Sequence, residues 1–319
     1  MKAIFAALSP AAASARLTVL IFHRVTAQPD PLFPGEVDAR RFDQLLGWLK
    51  RWFAVLPLDQ AAQRLRAGTL PARAAAITFD DGYADNATVA LPLLQRHGLA
   101  STFFIATGFI DGGRMWNDTV IEAIRRSAVP RLDLDGLGPG ATLSLGQLAI
   151  GSAAQQRAAV DAVIGRIKYL PADERALVVA QIAERSRAAL PDDLMMSSAQ
   201  LKALRAGGMQ LGAHTVTHPI LASLDDAGAE REIAGSRRWL EQLLGEPISL
   251  FAYPNGKPGA DYGERDAAIV RRLGFDAAVS TAPGAAGAGT DPFQLPRFTP
   301  WDRGRWRFGL RLARNLWPG

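Results

Sequence analysis

The sequence contains no cysteine and only four histidines among its 319 residues. Disulfides, thiolate metal sites and cysteine nucleophiles are therefore excluded, and any transition-metal site must use histidine and carboxylate ligands. No apolar run approaches the roughly 18 residues of a membrane-spanning helix. The sequence also lacks a Gly-rich phosphate loop, a serine nucleophile elbow and nucleic-acid-binding motifs, so we expect no nucleic-acid partner.

The composition is that of a globular protein, with 48% hydrophobic and 21% charged residues. The length suits one large domain or two small ones. The formal charge of +5 mildly favours anionic surfaces, but 31 acidic residues accompany 36 basic ones. We interpret most of this charge as solvated surface, except at the C-terminus.

The N-terminus has some features of a signal peptide. Lys2 precedes an apolar stretch at residues 3–8, and residues 13–15 are small, as at a cleavage site. Pro10 interrupts the pattern soon after the short apolar stretch. We therefore expect an uncleaved helix and a cytoplasmic protein, peripheral to a membrane if its C-terminus binds one; a periplasmic location is the alternative.

Apolar, β-rich segments alternate with amphipathic helical patterns along most of the chain, which indicates parallel strands with right-handed crossovers. We predict an α/β fold, a distorted (β/α) barrel of about seven strands. Because proline has no N–H to donate, Pro296 indicates either that the last strand lies at a sheet edge or that Pro296 lies at the start of that strand. The predicted strands cover residues 17–22, 55–58, 74–79, 101–107, 209–214, 248–253, 275–281 and 295–298.

The alternation stops between about residues 111 and 198, where helical patterns dominate and residues 130–140 are loop-like. We interpret this region as a helical insertion rather than a separate domain. The expected organisation is one barrel domain over residues 1–300, followed by a basic, aromatic tail at residues 301–319.

The predicted strand at residues 74–79 ends in two adjacent carboxylates, Asp80 and Asp81, and then Gly82. Two carboxylates so close together repel each other. A bound cation would therefore neutralise one carboxylate, while the other carboxylate accepts or gives up a proton. A simple turn is an equally good explanation of these three residues, because Asp and Gly are common in turns. This stretch alone leaves both interpretations open.

Two of the four histidines, His214 and His218, lie four residues apart directly after a predicted strand. In a helical conformation they would share a face and could hold one ion; a surface turn with two unrelated histidines is the alternative. With Asp81 they form a His-His-carboxylate set that suits one divalent ion, zinc first, with cobalt or nickel as alternatives. His23, Asp80 and His214 all fall at strand ends, where parallel barrels carry their chemistry.

Thr-Phe-Asp-Asp-Gly at residues 78–82 and His-Thr-Val-Thr-His at residues 214–218 resemble the two leading motifs of the polysaccharide deacetylases, the NodB-homology domains of carbohydrate esterase family 4. The resemblance covers roughly residues 17–300, less the insertion. It implies hydrolysis of N-acetyl groups from an acetylated amino-sugar glycan, such as an exopolysaccharide. It also implies Asp80 as general base, Asp81 and both histidines as metal ligands, and the backbone N–H of Tyr83 as an oxyanion donor.

The chain departs from the family pattern at the third motif, residues 251–256, where Ala252 replaces the usual arginine. Arg297, in a late strand, is our candidate for orienting the base instead; a structural arginine is the alternative. The same motif suggests that Tyr253, Pro254 and Asn255 contact substrate. The Tyr253 ring could stack on a sugar, or it could belong to the core.

No histidine follows His218, so the family's C-terminal histidine acid is missing. The chain resembles a branch with circularly shifted motifs, which includes biofilm poly-N-acetylglucosamine deacetylases. That resemblance implies His23, at the end of the first strand, as general acid. A core histidine that caps the strand is the alternative. We interpret His97, at a predicted helix end, as structural.

The segment at residues 301–311 mixes arginines with aromatics. This composition fits contact with a membrane surface or with an anionic glycan carrier; a helix whose arginines snorkel over the barrel fits equally well. Taken together, the sequence predicts a metal-dependent polysaccharide or glycolipid N-deacetylase. An O-acetyl esterase or small-amide deacylase is one alternative, and a glycan-binding protein that lost turnover with the motif arginine is another.

Overall fold

The computed structural model describes residues 1–317, so the last two residues of the predicted tail lie outside the described part. The strands are β1 (Leu17–Phe22), β2 (Ala54–Val55), β3 (Ala74–Phe79), β4 (Thr102–Ile105), β5 (Arg131–Asp133), β6 (Gln147–Ala149), β7 (Gln210–Ala213), β8 (Leu250–Ala252), β9 (Ala277–Val279) and β10 (Arg297–Phe298). The α-helices are α1 (Lys2–Leu8), α2 (Ala39–Trp52), α3 (Leu58–Arg66), α4 (Leu91–His97), α5 (Trp116–Arg125), α6 (Ala153–Ile167), α7 (Ala172–Ser186), α8 (Ser198–Ala206), α9 (Asp226–Leu244), α10 (Glu264–Arg272) and α11 (Arg305–Leu316).

Seven parallel strands form a nearly closed barrel in the order β10-β1-β3-β4-β7-β8-β9, and the short β2 pairs with the start of β3. Leu295, two residues before β10, bridges Val279 of β9, so one segment links the last strand of the path to β1. Helices follow most of these strands. The predicted (β/α) barrel of about seven strands is confirmed.

The central strands β1 and β3 are apolar except for one threonine each, because both of their faces are buried. All six residues of β1 and all six of β3 are buried, and their bounds match the predicted segments. Phe22, Phe79 and Phe103 occupy adjacent positions across β1, β3 and β4, with ring centroids 5.3 and 4.6 Å apart. This aromatic row packs the barrel next to the ends of β1 and β3.

The chain divides into two compact units. The first comprises residues 1–28, residues 36–111 and the chain from Met195 onward, and contains the barrel. The second comprises Pro29–Gly35 and Gly112–Leu194. It has its own apolar core, built mainly from α5, α6 and α7.

One expectation for the second unit is wrong. Residues 130–140 were expected to be loop-like, but β5 pairs antiparallel with β6, with Leu132 opposite Leu148. In β5 only Leu132 is buried, between exposed Arg131 and Asp133. Three residues of alternation are too few to distinguish a half-exposed strand from a loop.

Within residues 1–317, no helix combines the length and the apolar character needed to cross a membrane. The N-terminal segment forms the predicted short helix, α1, whose Phe5 is fully buried against Trp52 and Phe53.

Candidate active site

Parallel pairing brings the carboxyl ends of β1, β3 and β7 to one edge of the barrel. His23 follows β1, Asp80 and Asp81 follow β3, and His214 follows β7. Arg297 lies in β10 beside Val19, three residues before the end of β1. Its long side chain therefore points along the sheet toward the edge that carries the other residues, where it meets Asp80.

Asp80 and Arg297 form a buried, two-pronged ion pair. Nη1 and Nη2 of Arg297 each donate to a different carboxylate oxygen of Asp80, both at 2.7 Å. Arg297 is further fixed because its Nε donates to the Ser280 carbonyl at 2.7 Å. Burial alone raises the pKa of Asp80, but the charges of Arg297 and His214 outweigh it and hold that pKa below its usual value. The carboxylate is thus charged and held in one orientation.

Ala252, which occupies the motif-arginine position, has a different role in this chain. It is buried in β8, and its carbonyl accepts a 2.7 Å hydrogen bond from Nδ1 of His214. Because a carbonyl only accepts, Nδ1 carries a hydrogen in this contact, and Nε2 is the ring nitrogen that faces Asp81.

Asp81, His214 and His218 form a compact group of possible metal ligands. Oδ1 of Asp81 lies 3.4 Å from Nε2 of each histidine, and the ligand atoms all lie within 4.8 Å of one another. Burial lowers the pKa of His218 to about 4, so this ring is neutral, the form that binds a metal. Two imidazole nitrogens and one carboxylate oxygen fit a borderline divalent ion and leave coordination positions open.

The two histidines do not meet in the way that the sequence suggested. Residues 214–218 form a loop rather than a helical turn. Thr215 and His218 have positive φ angles of 65° and 54°, and the His218 N–H donates to Thr215 Oγ1 at 3.1 Å. The expectation of a shared helical face is therefore wrong, although the rings still approach to 4.8 Å between centroids.

Glu232, on α9, holds this loop in place and was not anticipated from the sequence. One carboxylate oxygen accepts the backbone N–H groups of Val216 and Thr217, both at 2.8 Å. The other accepts the Thr217 hydroxyl at 2.7 Å. No spacing rule links a helical glutamate to a loop that precedes the helix, so only the loop conformation reveals its role.

Gly108 supports the same loop from the other side. Its N–H donates to the Val216 carbonyl at 2.8 Å, and a Cβ added to Gly108 would lie 2.8 Å from that oxygen. Any larger residue would push the histidine loop away from β4.

His23 and Tyr83 border the cluster. His23 is exposed directly after β1, and in its protonated form it interacts electrostatically with Asp80 and Asp81. Tyr83 is buried, with the Arg24 guanidinium 4.8 Å from its ring centroid. The acid role of His23 and the oxyanion role of the Tyr83 N–H stay predictions.

The third-motif residues are placed differently from one another. Tyr253 is fully buried, stacks on Tyr262 at 3.7 Å and donates its hydroxyl to the Phe293 carbonyl. Because Tyr253 has no exposed surface, its ring is inaccessible to a sugar, and the stacking interpretation is wrong. Pro254 is buried, whereas Asn255 is exposed with a φ of 57°.

His97 lies apart from this group, at the end of α4, where its Nε2 is 2.6 Å from Asp43. This position agrees with the structural interpretation.

A (β/α) barrel that gathers paired carboxylates and two histidines at its strand ends defines a hydrolase-type site. The family model for polysaccharide deacetylase matches residues 67–130 and 172–278, together more than half of the chain. The chain belongs to the polysaccharide deacetylase family, as the motif resemblance predicted. Whether its motifs are circularly shifted stays a prediction.

Individual relatives agree with this assignment. The protein YxkH of Bacillus subtilis (strain 168), itself classed as a polysaccharide deacetylase, is 20% identical over 285 residues, 89% of this chain and 71% of the relative. The structure of IcaB from Ammonifex degensii has a TM-score of 0.61 at 18% identity and covers 97% of this chain and 99% of that one. The structure of Streptococcus pyogenes deacetylase PplD has a TM-score of 0.58 at 19% identity, and the match covers 89% of this chain and 92% of that one. At these identities the structures share the fold.

Proposed function

We propose that this polysaccharide deacetylase is a metal-dependent hydrolase that removes N-acetyl groups from an amino-sugar polysaccharide or glycan. One observation carries the proposal. Asp80, which Arg297 holds in one orientation, directly precedes Asp81, and the Asp81 carboxylate lies close to both His214 and His218. The proposed base and the proposed metal ligands therefore lie at the same edge of the barrel.

Asp81, His214 and His218 would hold the divalent ion, and their donor set favours zinc. When bound there, such an ion supplies Lewis acidity toward the acetyl carbonyl and lowers the pKa of water. Ala252 contributes by fixing the His214 tautomer through its carbonyl.

The reaction follows from the roles of the remaining groups. Asp80 accepts a proton from the attacking water, whose oxygen bonds to the acetyl carbonyl carbon. The backbone N–H of Tyr83 donates to the developing oxyanion. His23 gives a proton to the sugar nitrogen as the carbon–nitrogen bond breaks, which leaves acetate and a free amine. Arg297 keeps Asp80 oriented and remains a cation throughout.

Acetate release from N-acetylglucosamine oligomers, measured on metal-stripped protein resupplied with zinc, cobalt or nickel, tests the proposal. We expect metal-dependent release that Asp80→Asn reduces by at least about a hundredfold, since general-base removal costs roughly 10² to 10⁴ in rate. His23→Ala should lower turnover while bound metal, measured by elemental analysis, is retained.

Other outcomes would favour the alternatives. Faster acetate release from O-acetylated sugars or small amides would indicate an esterase or small-amide deacylase. Saturable oligomer binding without acetate release under any metal would indicate a glycan-binding protein that has lost turnover.

A further inference from the structure

Large apolar side chains are exposed mainly at one place on the molecule. Among residues 1–317, seven such side chains are exposed, and four of them lie between residues 301 and 317. A fifth, Ile4, lies on α1, which packs against α11 where Met1 covers Gly309. The five side chains are Ile4 (48% exposed), Trp301 (67%), Trp306 (71%), Leu310 (63%) and Trp317 (67%).

Helix α11 has apolar residues on two opposite faces. Its inner face packs into the barrel core through Phe308, Leu312 and Leu316, which are all fully buried. Trp306 and Leu310 lie four residues apart and therefore share the outer face of the helix. The inner face accounts for folding, so the exposed tryptophan and leucine need another explanation.

The segment that carries most of these exposed apolar side chains is also rich in cations. Residues 301–317 contain five arginines and a single acidic residue, Asp302. Asp302 is buried and engaged by Arg307, at 3.1 Å, and by Arg311. Arg307 remains 83% exposed in that contact, and Arg314, about two helical turns further on, is also exposed. The outward surface is thus both apolar and strongly positive.

We propose that the outer face of α11, with α1 beside it, docks onto the surface of a lipid bilayer that contains anionic lipids. Tryptophan is enriched at the headgroup level of membranes, where an apolar ring meets water. Arginines flanking such side chains pair with anionic headgroups, and an amphipathic helix of this kind lies in the interface plane. Charge complementarity therefore selects an anionic bilayer over a neutral apolar partner.

The experiment uses the full chain and vesicles of phosphatidylcholine, either pure or with phosphatidylglycerol as about one third of the lipid. We expect the wild type to co-sediment with the mixed vesicles and not with the pure ones, and binding should weaken with added salt. Each arginine near an anionic bilayer contributes about fivefold to partitioning, so Arg307→Gln with Arg314→Gln should weaken binding roughly 25-fold.

Matched variants separate this surface from charge and apolarity in general. Trp306→Ser with Leu310→Ser should weaken vesicle binding about tenfold or more. Tyr169→Ser with Leu177→Ser, the other exposed apolar side chains, should not. Arg64→Gln with Arg238→Gln, at exposed positions elsewhere, should reproduce the wild type.

Two results would overturn the proposal. One is equal or absent binding of the wild type to both vesicle types. The other is a concentration-dependent dimer, measured by sedimentation, that the Trp306 and Leu310 double variant abolishes; a second copy of the chain would then cover this face.

Discussion

The Asp80–Arg297 pair sets the character of the site at the scale of single residues. A planar guanidinium matches both carboxylate oxygens, whereas an ammonium acts as a point charge that cannot fix the carboxylate plane. Because Arg297 is itself held by the Ser280 carbonyl, the geometry of Asp80 depends on β9 and β10 rather than on β8. Asp80 thus pairs with an arginine from another strand, while the motif position holds Ala252.

Substitution of Arg297 tests this compensation. Arg297→Lys should lower deacetylase turnover by about 10- to 100-fold, since loss of orientation alone has effects of this size. Arg297→Ala should also destabilise the fold by about 3 to 5 kcal/mol, because it leaves a buried charge unpaired. Turnover and urea unfolding measure the two effects.

Arg265→Lys provides the control, since Arg265 pairs with Asp266 on α10. It should leave turnover unchanged. Full turnover in both Arg297 variants would rule out an orienting role.

Glu232 controls the histidine loop through three hydrogen bonds, so its loss should appear as weaker metal binding. We expect Glu232→Ala to reduce zinc affinity by about 10- to 100-fold, as removal of groups that position ligands does. Glu232→Gln should retain most of the affinity, because the amide can still accept from the backbone. Competition with a chromophoric chelator measures affinity without reference to turnover.

Glu230→Ala is the matched control for Glu232. Glu230 lies on the same helix and pairs at the surface with Arg272. Unchanged zinc affinity in Glu232→Ala would show that the loop holds its conformation without this carboxylate.

At the scale of elements, the segment Pro29–Gly35 belongs to the second unit through Asp30. Arg125 donates to both oxygens of Asp30 at 2.9 and 2.7 Å, and the Leu32 N–H donates at 2.8 Å. Burial raises the pKa of Asp30, but these hydrogen bonds outweigh it and hold the pKa below its usual value. A carboxyl of this kind stabilises the fold above its unfolded pKa and loses that effect as the pH falls through the folded one.

We therefore expect Asp30→Asn to be less stable than the wild type by about 2 kcal/mol at pH 6, from the lost charged hydrogen bonds. The difference should shrink below about pH 4, near the unfolded pKa of an aspartate. Urea unfolding between pH 3 and 6 measures it. As a control, Asp161→Asn, which removes an exposed pair with Arg157, should differ little from the wild type in stability at any pH. A stability difference for Asp30→Asn that stays constant with pH would contradict the prediction.

Elements were predictable from the sequence where burial is continuous. β1 and β3 are apolar apart from the buried Thr18 and Thr78, so their ends follow from the first ionisable residue, His23 or Asp80. β5 and β6 were not predicted, because each strand is defined by its pairing with a partner about 15 residues away rather than by a local pattern. The histidine loop was misjudged because four-residue spacing cannot distinguish a helical turn from a loop with two left-handed residues.

The site was predictable only in part for the same reason. Carboxylates at strand ends and scarce histidines can be identified from a sequence. Arg297 was predicted because Ala252 occupies the motif-arginine position, so another arginine had to pair with Asp80. Glu232 is one acidic residue among 31, and the burial of Tyr253 depends on Tyr262 and Phe293. Such long-range contacts follow from the closed barrel and not from any motif.

At the scale of the whole molecule, an ion at Asp81, His214 and His218 would join β3 to the loop after β7. Ligands that bind only the folded state stabilise it by about 2.7 kcal/mol at a hundred times their Kd. Zinc should therefore raise the Tm of metal-stripped protein by several degrees in calorimetry. Asp81→Asn should abolish the shift, and His97→Gln, outside the cluster, should preserve it. No shift with zinc, cobalt or nickel would contradict the ligand set.

The seam at which Leu295–Phe298 closes the barrel has a consequence for protein synthesis. Asp80 pairs with Arg297, which lies 217 residues further along the chain. During translation, β1 and β3 leave the ribosome long before β10, so Asp80 cannot pair with Arg297 until almost the entire barrel has emerged. A chain that lacked Arg297 would bury Asp80 without its counter-charge and would leave β1 without its β10 neighbour, so we expect it to fold poorly. Pairing of β10 with β1 and formation of the Asp80–Arg297 ion pair therefore depend on the same late segment of the chain.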